Sequence, residues 1–311
     1  MVLNDKAIFL NSSFLILNFL NSYLLILNLK RIMMSLLRDY ITGLVPLYGE
    51  REARAIMYAV LDVRFGMSRA DVLCGAVERM TADGRAELDR IMCRLEQAEP
   101  LQYVLGETMF CGRRFKVRPG VLIPRPETEE LCALITAENK DMTGLKVLDV
   151  GTGSGCIAVT LAADMPRSAV SAWDISPEAL AVARENAALN GVSVTIKEQD
   201  ILAVEPSAGA WDVIVSNPPY IRMKEREAMN RNVLDYEPHT ALFVPDADPL
   251  LFYRAISRYA AVSLRPGGRL YFEVNEAFAR ETAQLMSSFG FKDVAIKTDV
   301  YGKERIVYGA L

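Results

Sequence analysis

A single histidine, His239, serves the whole 311-residue chain. A Ser-His-Asp triad would have to use that residue, and a two-histidine metal site is impossible. Cysteine is also sparse: Cys74, Cys93, Cys111, Cys132 and Cys156 are an odd number, placed singly, with no C-x-x-C pair. That spacing offers neither a disulfide framework nor a zinc site, and it fits a reducing cytoplasm. Basic residues are not in excess, since 35 Lys and Arg face 39 Asp and Glu for a formal net charge of −4. A protein whose affinity comes from neutralising phosphates needs clustered Lys and Arg, so a nucleic-acid partner is disfavoured. Apolar residues, by contrast, make up 51% of the chain. That is ample for the core of one large or two ordinary domains.

The apolar residues begin early. Residues 7–29 carry little besides Asn and Ser that is polar, and about 20 apolar residues suffice to span a bilayer. Yet NSSFLILNFL at 11–20 is nearly duplicated by NSYLLILNLK at 21–30, and the repeated Asn would sit unsatisfied in hydrocarbon. Residues 1–34 are therefore read as an apolar low-complexity leader, with the true start expected at Met33 or Met34, in preference to a membrane anchor. As an anchor, Lys30 and Arg31 would hold the rest of the chain on the cytoplasmic side.

Residues 35–105 have helical spacing with interspersed charge, as in EREARAIMYAVLDVRFG and RAELDRIMCRLEQAE. Ser68, and Thr81 with Asp83, are expected helix starts; Gly66 and Gly75 are expected stops. The slight acidic balance of this small bundle favours a protein-docking role over DNA reading, or else a plain cap on the larger domain. Residues 106–124 alternate short extended runs around Gly112 and Gly120 and are expected to form a hairpin connector. From 125 to 311, and clearly beyond 145, strands and helices alternate: KVLDVG, SAVSAWDI, SVTIKEQD, WDVIVSNP, GGRLYFEV, VAIKT and RIVYGAL. Seven strands separated mostly by helices predict an α/β fold with a mostly parallel sheet covered on both faces. The last two lack an intervening helix and are expected to form an antiparallel hairpin at one edge. A Rossmann-like sheet with such an edge resembles the class-I methyltransferase arrangement.

In such sheets, ligands bind outside the carboxyl ends of the strands. The run VLDVGTGSGCIAV puts Gly151, Thr152, Gly153, Ser154 and Gly155 at a strand-to-helix turn, where missing side chains let backbone approach a ligand. A dinucleotide fingerprint wants Gly or Ala at 156, where this chain has Cys, so NAD is the weaker reading. A tight turn without any ligand is the bland alternative. Asp174 ends the next strand, where an acidic residue can accept hydrogen bonds from ribose hydroxyls; it could instead simply cap the helix begun by Pro177. Asp200, ending the third strand, is placed near an adenine with Ile201 against its face, unless it is only a turn Asp. With no Lys or Arg in the glycine turn to ligate phosphate, S-adenosylmethionine fits better than a nucleotide. The fourth strand ends on Asn217, Pro218, Pro219 and Tyr220. Two prolines cannot continue a ladder, so the chain must leave the sheet here. An Asn side-chain oxygen and the Pro218 carbonyl can accept both hydrogens of one NH₂, and Tyr220 can stack on the planar group. Asn217, Pro218 and Tyr220 are thus the expected catalytic residues, and Asn217 to Tyr220 the expected substrate contacts. Neither a metal nor a strong general base is required.

With VLDVGTGSG and NPPY both present, the chain resembles the HemK/PrmC family of protein-glutamine methyltransferases. PLQYVLGETMFCGRRFKVRPGVLIPRPETEEL at 100–131 looks like the connector of that family, and NVLDYEPHTALF at 232–243 like its segment after NPPY. The resemblance covers roughly residues 35–311. It implies transfer of a methyl group from S-adenosylmethionine to the Gln amide in the Gly-Gly-Gln loop of class-1 peptide chain release factors. It further implies that the helical domain docks that protein, that Asn217, Pro218 and Tyr220 hold the amide, and that Gly151, Gly153, Gly155, Asp174 and Asn217 contact the cofactor. Arg125, Glu127 and Thr128 match the RPET stretch of the family without a chemical role that their residue types assign; structural ion pairing and capping is the bland alternative. A cytoplasmic monomer, free of nucleic acid and membrane, is expected. The alternative function is methylation of an exocyclic amine in a nucleic acid, which NPPY also serves; a non-catalytic scaffold is the third reading.

Overall fold

The computed structural model of the protein describes residues 35–311; the leader at 1–34, with the start expected at Met33 or Met34, lies outside the described residues. The chain divides into two compact units between Leu105 and Gly106.

The first unit is helical. Helix α1 (Ser35–Phe65) contains Pro46 and is broken at Gly49, whose φ of 73° and ψ of 164° no helical residue adopts. Glycine, lacking a Cβ, takes that positive-φ conformation without steric cost, so one helical run ends and the next begins there. Ser68 starts α2 (Arg69–Leu73) with a reciprocal cap: its hydroxyl accepts from the Asp71 N–H while the Asp71 carboxylate accepts from the Ser68 N–H. Thr81 caps α3 (Ala82–Glu96) by accepting from the Gly84 N–H. Helix α4 (Leu101–Leu105) follows, and Leu44, Met57, Leu61, Leu88 and Leu95 form the fully buried centre of this unit. No helix among the described residues is long and apolar enough to cross a membrane.

The second unit opens with a hairpin, β1 (Glu107–Phe110) and β2 (Arg113–Lys116), turning on Cys111 and Gly112 at φ 47° and 70°. Positive φ at both central residues matches the twist of a two-residue hairpin. Helix α5 (Pro126–Glu138) follows. Pro126 in the first turn, with Glu127 and Glu129 beside it, is a helix-start pattern, and the helix opens the domain expected from residue 125. The alternation then runs β3 (Lys146–Val150), α6 (Cys156–Asp164), β4 (Ala169–Asp174), α7 (Pro177–Leu189), β5 (Val194–Glu198) and β6 (Trp211–Ser216). Two-residue strands β7 (Ile221–Arg222) and β8 (Phe243–Val244) pair in parallel, framing the segment after the prolines. Helix α8 (Leu251–Ser263), β9 (Leu264–Glu273), α9 (Ala279–Ser288), β10 (Lys292–Thr298) and β11 (Glu304–Ala310) complete the chain.

The seven-stranded sheet has the order β10-β11-β9-β6-β3-β4-β5, and only the pairs made by β11 are antiparallel. It is therefore a mostly parallel sheet with the expected edge hairpin. Its pleat decides what reaches the carboxyl ends. Leu148, Val150, Ile214, Leu270 and Phe272 pack on α8 and α9, whereas Val147, Val213, Val215 and Tyr271 face α5 and α6. By the same alternation, Asp149 and Glu273 belong to the second face. Two carboxyl groups thus stand fully buried on that face, Asp149 at 0% and Glu273 at 1% exposure.

Candidate functional site

Strand β3 ends in a glycine turn with φ of 72° at Gly151, 55° at Gly153 and 81° at Gly155, all in the left-handed region. The Gly151 and Thr152 N–H groups both donate to the Trp173 carbonyl at 2.9 Å, which fastens the turn to β4. Asp149 lies beneath it. One of its carboxylate oxygens accepts from the Thr152 hydroxyl at 2.6 Å and the Ala158 N–H at 3.2 Å, while the other has no partner. Burial pushes its pKa up to about 7, against the pull of those two hydrogen bonds.

The three glycines do different work. A Cβ on Gly151 or Gly153 would meet nothing within 4 Å, and both line a cavity of about 410 Å³, inside the ~300–1,000 Å³ range of small-molecule sites. Gly155 does not line it; a Cβ there would stand 3.0 Å from the Ala183 Cβ and 3.1 Å from its Cα, so this glycine lets α6 approach α7. Asn186 of α7 completes the support. Its side-chain oxygen accepts from the Lys116 N–H at 2.6 Å, and its amide nitrogen donates to the carbonyls of Lys116 (3.0 Å) and Ser154 (2.8 Å).

Thr152, Ser154, Asp174, Asp200 and Ile201 line the same cavity. Asp174 accepts from the Gly153 N–H at 2.8 Å through one oxygen and from the Ser176 N–H at 2.9 Å through the other. It therefore shapes the glycine turn while facing the cavity, and each oxygen keeps a lone pair. Asp200 accepts from the Leu202 N–H at 2.8 Å, a turn contact. Arg125 is the one cationic residue among those that line the cavity. Its guanidinium donates to Glu237 at 2.5 Å, and the other oxygen of that carboxylate accepts from the Ile123 N–H at 3.2 Å. Arg125 thus makes an ion pair with the segment after the prolines and no side-chain cap for its helix.

Strand β6 delivers Asn217, Pro218 and Pro219 to the cavity wall, next to the glycine turn across the β3–β6 pairing. Tyr220 is not among the lining residues; its ring joins the apolar cluster under α8, and its hydroxyl donates to Glu273 at 3.4 Å. Burial, with Glu273 nearby, raises its pKa well above the ordinary phenol value. The Asn217 amide nitrogen donates to the Thr128 hydroxyl at 3.3 Å, and that hydroxyl donates to Glu273 at 2.6 Å. Burial raises the Glu273 pKa to about 7, while Thr128 and Arg305 pull it down. Thr128 and Glu273 are 2% and 1% exposed, so the partners of the asparagine are withdrawn from water.

Glu273 escaped the sequence reading, although a signal was present. In GGRLYFEV the alternation puts Glu273 on the same face as Tyr271, and a carboxylate on a covered face of a parallel sheet needs a partner. Thr128 was noticed without a role, because its partners lie 89 and 145 residues away.

Two families match the chain: the Methyltransferase small domain over residues 129–235 and the PrmC N-terminal domain over residues 48–106. A release factor glutamine methyltransferase of Bacteroides thetaiotaomicron is 44% identical over 266 residues, 85% of this chain and 95% of its own. One from Flavobacterium psychrophilum is 41% identical over 272 residues, 86% and 95% of the two chains. Among solved structures, the release factor-specific protein-(glutamine-N5) methyltransferase of Alicyclobacillus acidocaldarius is 31% identical, covering 63% of this chain and 98% of that one with a TM-score of 0.39.

Proposed function

The chain belongs to the release factor glutamine methyltransferase family, and on that premise we propose how its cavity carries out the reaction. The enzyme moves a methyl group from S-adenosylmethionine to the side-chain amide nitrogen of a release-factor glutamine. Asn217 carries the reading, since it is an amide-binding side chain on the wall of the cavity that also contains Gly151, Gly153 and Asp174.

S-adenosylmethionine supplies the methyl group as an activated sulfonium when bound. The residues present fit it: Gly151 and Gly153 bare their backbone to the cavity, Asp174 has acceptor capacity for a ribose, and Ile201 offers an apolar face beside Asp200 for an adenine. Arg125 offers the amino-acid end of the molecule a cation. Gly155 supports this set from behind through its packing on Ala183.

A glutamine amide is a poor nucleophile because its nitrogen lone pair is delocalised into the carbonyl. What the site can contribute is aim. The Asn217 side-chain oxygen and the Pro218 carbonyl accept the two N–H groups, which fixes the plane of the acceptor, and the prolines keep those two acceptors from relaxing. Pro219 closes the wall beside them, and Tyr220 buttresses it from the apolar side. Once the methyl group has joined nitrogen, that nitrogen still carries both of its protons and a positive charge; one of them leaves to solvent, so no residue need be a strong base.

The glutamine is placed in the Gly-Gly-Gln loop of class-1 factors, and residues 35–105 serve as the docking domain for that protein. The enzyme works as a cytoplasmic monomer without direct nucleic-acid contact. The exocyclic-amine alternative is set aside, since the Bacteroides and Flavobacterium relatives both carry the release-factor glutamine name and the chain has no basic excess. A transfer assay with labelled S-adenosylmethionine decides between them, offering unmodified release factor, its loop Gln→Ala variant and duplex DNA in parallel. Label on the intact factor alone is expected; label on DNA or equally on the variant would overturn the reading.

A further inference from the structure

The motif Asn-Pro-Pro-Tyr explains which groups meet the substrate amide, but not why Asn217 presents oxygen to it. An asparagine amide has two nearly isosteric ends, and only one of them accepts hydrogen bonds. With the nitrogen turned toward the cavity, the side chain would oppose donor to donor against a glutamine NH₂.

The structure holds a chain of hydrogen bonds that settles the choice. The Asn217 nitrogen donates to the Thr128 hydroxyl at 3.3 Å. The single proton of that hydroxyl is committed to Glu273 at 2.6 Å, so Thr128 can only accept from its other side. The second Glu273 oxygen accepts from Tyr220, at 3.4 Å. No hydrogen bond among the described residues engages the Asn217 oxygen. We propose that Glu273 is a positioning residue for methyl transfer: through Thr128 it fixes the polarity of the Asn217 amide, so that oxygen faces the substrate nitrogen. This rests on the function proposed for the cavity.

The direction of the chain depends on an ionised Glu273. As a protonated acid it can donate to Thr128, which frees the threonine proton for the Asn217 oxygen and turns the amide over. The neighbours of Glu273 bear on that balance: Arg305 of β11 favours the anion, Glu127 of α5 disfavours it, and Tyr220 donates to it. Tyr253 of α8 bonds the Glu273 carbonyl instead of its carboxylate. Burial keeps water from supplying substitute partners.

The test uses the full chain with ¹⁵N-labelled asparagine, the Asn217 side-chain signal being assigned by its loss in Asn217→Asp. In Thr128→Val the Asn217 NH₂ signal is expected to move toward that of a solvated asparagine and to exchange with water at least about tenfold faster. Turnover on release factor should fall by roughly tenfold or more, with little change in S-adenosylmethionine affinity measured by calorimetry. Thr128→Ser should restore both signal and turnover. An unchanged Asn217 signal in Thr128→Val, or a folded Thr128→Ser that restores neither, would overturn the proposal. Should Thr128→Val fail to fold, the wild-type signal is followed from pH 5.5 to 8.5 alongside that of Glu273→Gln, in a range that brackets the expected midpoint of about 7. A titration lost in Glu273→Gln supports the relay; one that persists, or is absent from wild type, removes it. The signal is read without release factor, so a wild-type enzyme inactive on that substrate would count against the assigned function and leave the relay to be judged on its own.

Discussion

The two halves of the cavity are built on different plans. The half proposed for the cofactor is mostly main chain: Gly151 and Gly153 bare their backbone, and Asp174 spends both oxygens on N–H groups of the same wall. The half proposed for the acceptor is a row of side chains from distant segments, Asn217, Thr128, Glu273 and Tyr220, whose inner members are buried. Backbone can hold a ligand without choosing among side-chain orientations. A row of side chains must be told which way to point. The contrast teaches that damage to the first half should appear as lost affinity, and damage to the second as lost turnover.

The strongest way to break that division is Asn217→Ala. Turnover should fall by on the order of 10²–10³-fold, the scale for removing one transition-state hydrogen-bonding group, while cofactor affinity holds. Comparable losses in both would merge the two halves. Asp174→Ala is the converse: the charge-assisted contact it offers a ribose hydroxyl, worth about 1.5–3 kcal/mol, leaves with it, so cofactor binding should weaken by roughly 10–100-fold. Turnover at saturating cofactor should survive, and a collapse in turnover instead would count against the division.

A pH series sharpens the comparison. With the Glu273 pKa raised from 4.5 to about 7, turnover should fall as pH drops through about 7, and Glu273→Gln should flatten that profile. Stability has the opposite sign. The folded chain binds a proton at Glu273 that the unfolded chain has released, so wild-type stability falls as pH rises from about 4.5 to 7. Glu273→Gln should therefore melt above wild type at pH 8 and close to it at pH 5. A variant less stable at both values would show that the carboxylate supports the fold. The smallest effect is expected for Tyr220→Phe, within about threefold in turnover, because a 3.4 Å hydrogen bond is long. Tyr220→Ala should cost more by removing ring packing. Equal losses for Phe and Ala would mean that the hydroxyl, and not the ring, matters.

The same contrast governs what could be read from sequence. The glycine turn, Asp174, Asp200 and the two prolines follow one another in short motifs, each explained by local backbone chemistry, and all of them but the buttressing Gly155 line one cavity. The sheet was legible for a similar reason, since apolar strands alternate with helices and the final pair lacks one. Tyr220 was read as facing the substrate because a motif gives order along the chain and not side-chain direction; the structure turns it inward to Glu273. Arg125, Glu127 and Thr128 could be noticed but not explained. The partners of Arg125 and Thr128, Glu237 and Glu273, are brought near by the fold across more than a hundred residues, and no local pattern announces them. Helix α5 begins on Pro126, a local start signal that stands before the strand–helix alternation beyond residue 145.

One amide on α7 ties the glycine turn to a strand that lies outside the cavity lining. Asn186 fastens the Lys116 backbone in the hairpin to the Ser154 carbonyl in the glycine turn. It works as a rivet through three plates, and a rivet transmits load. The hairpin strand β2 and the glycine turn are joined through it by a route that does not pass through the sheet. The hairpin is then more than a spacer: its register and the shape of the cofactor turn form one mechanical part, and a replacement that repairs one plate must fit the other two.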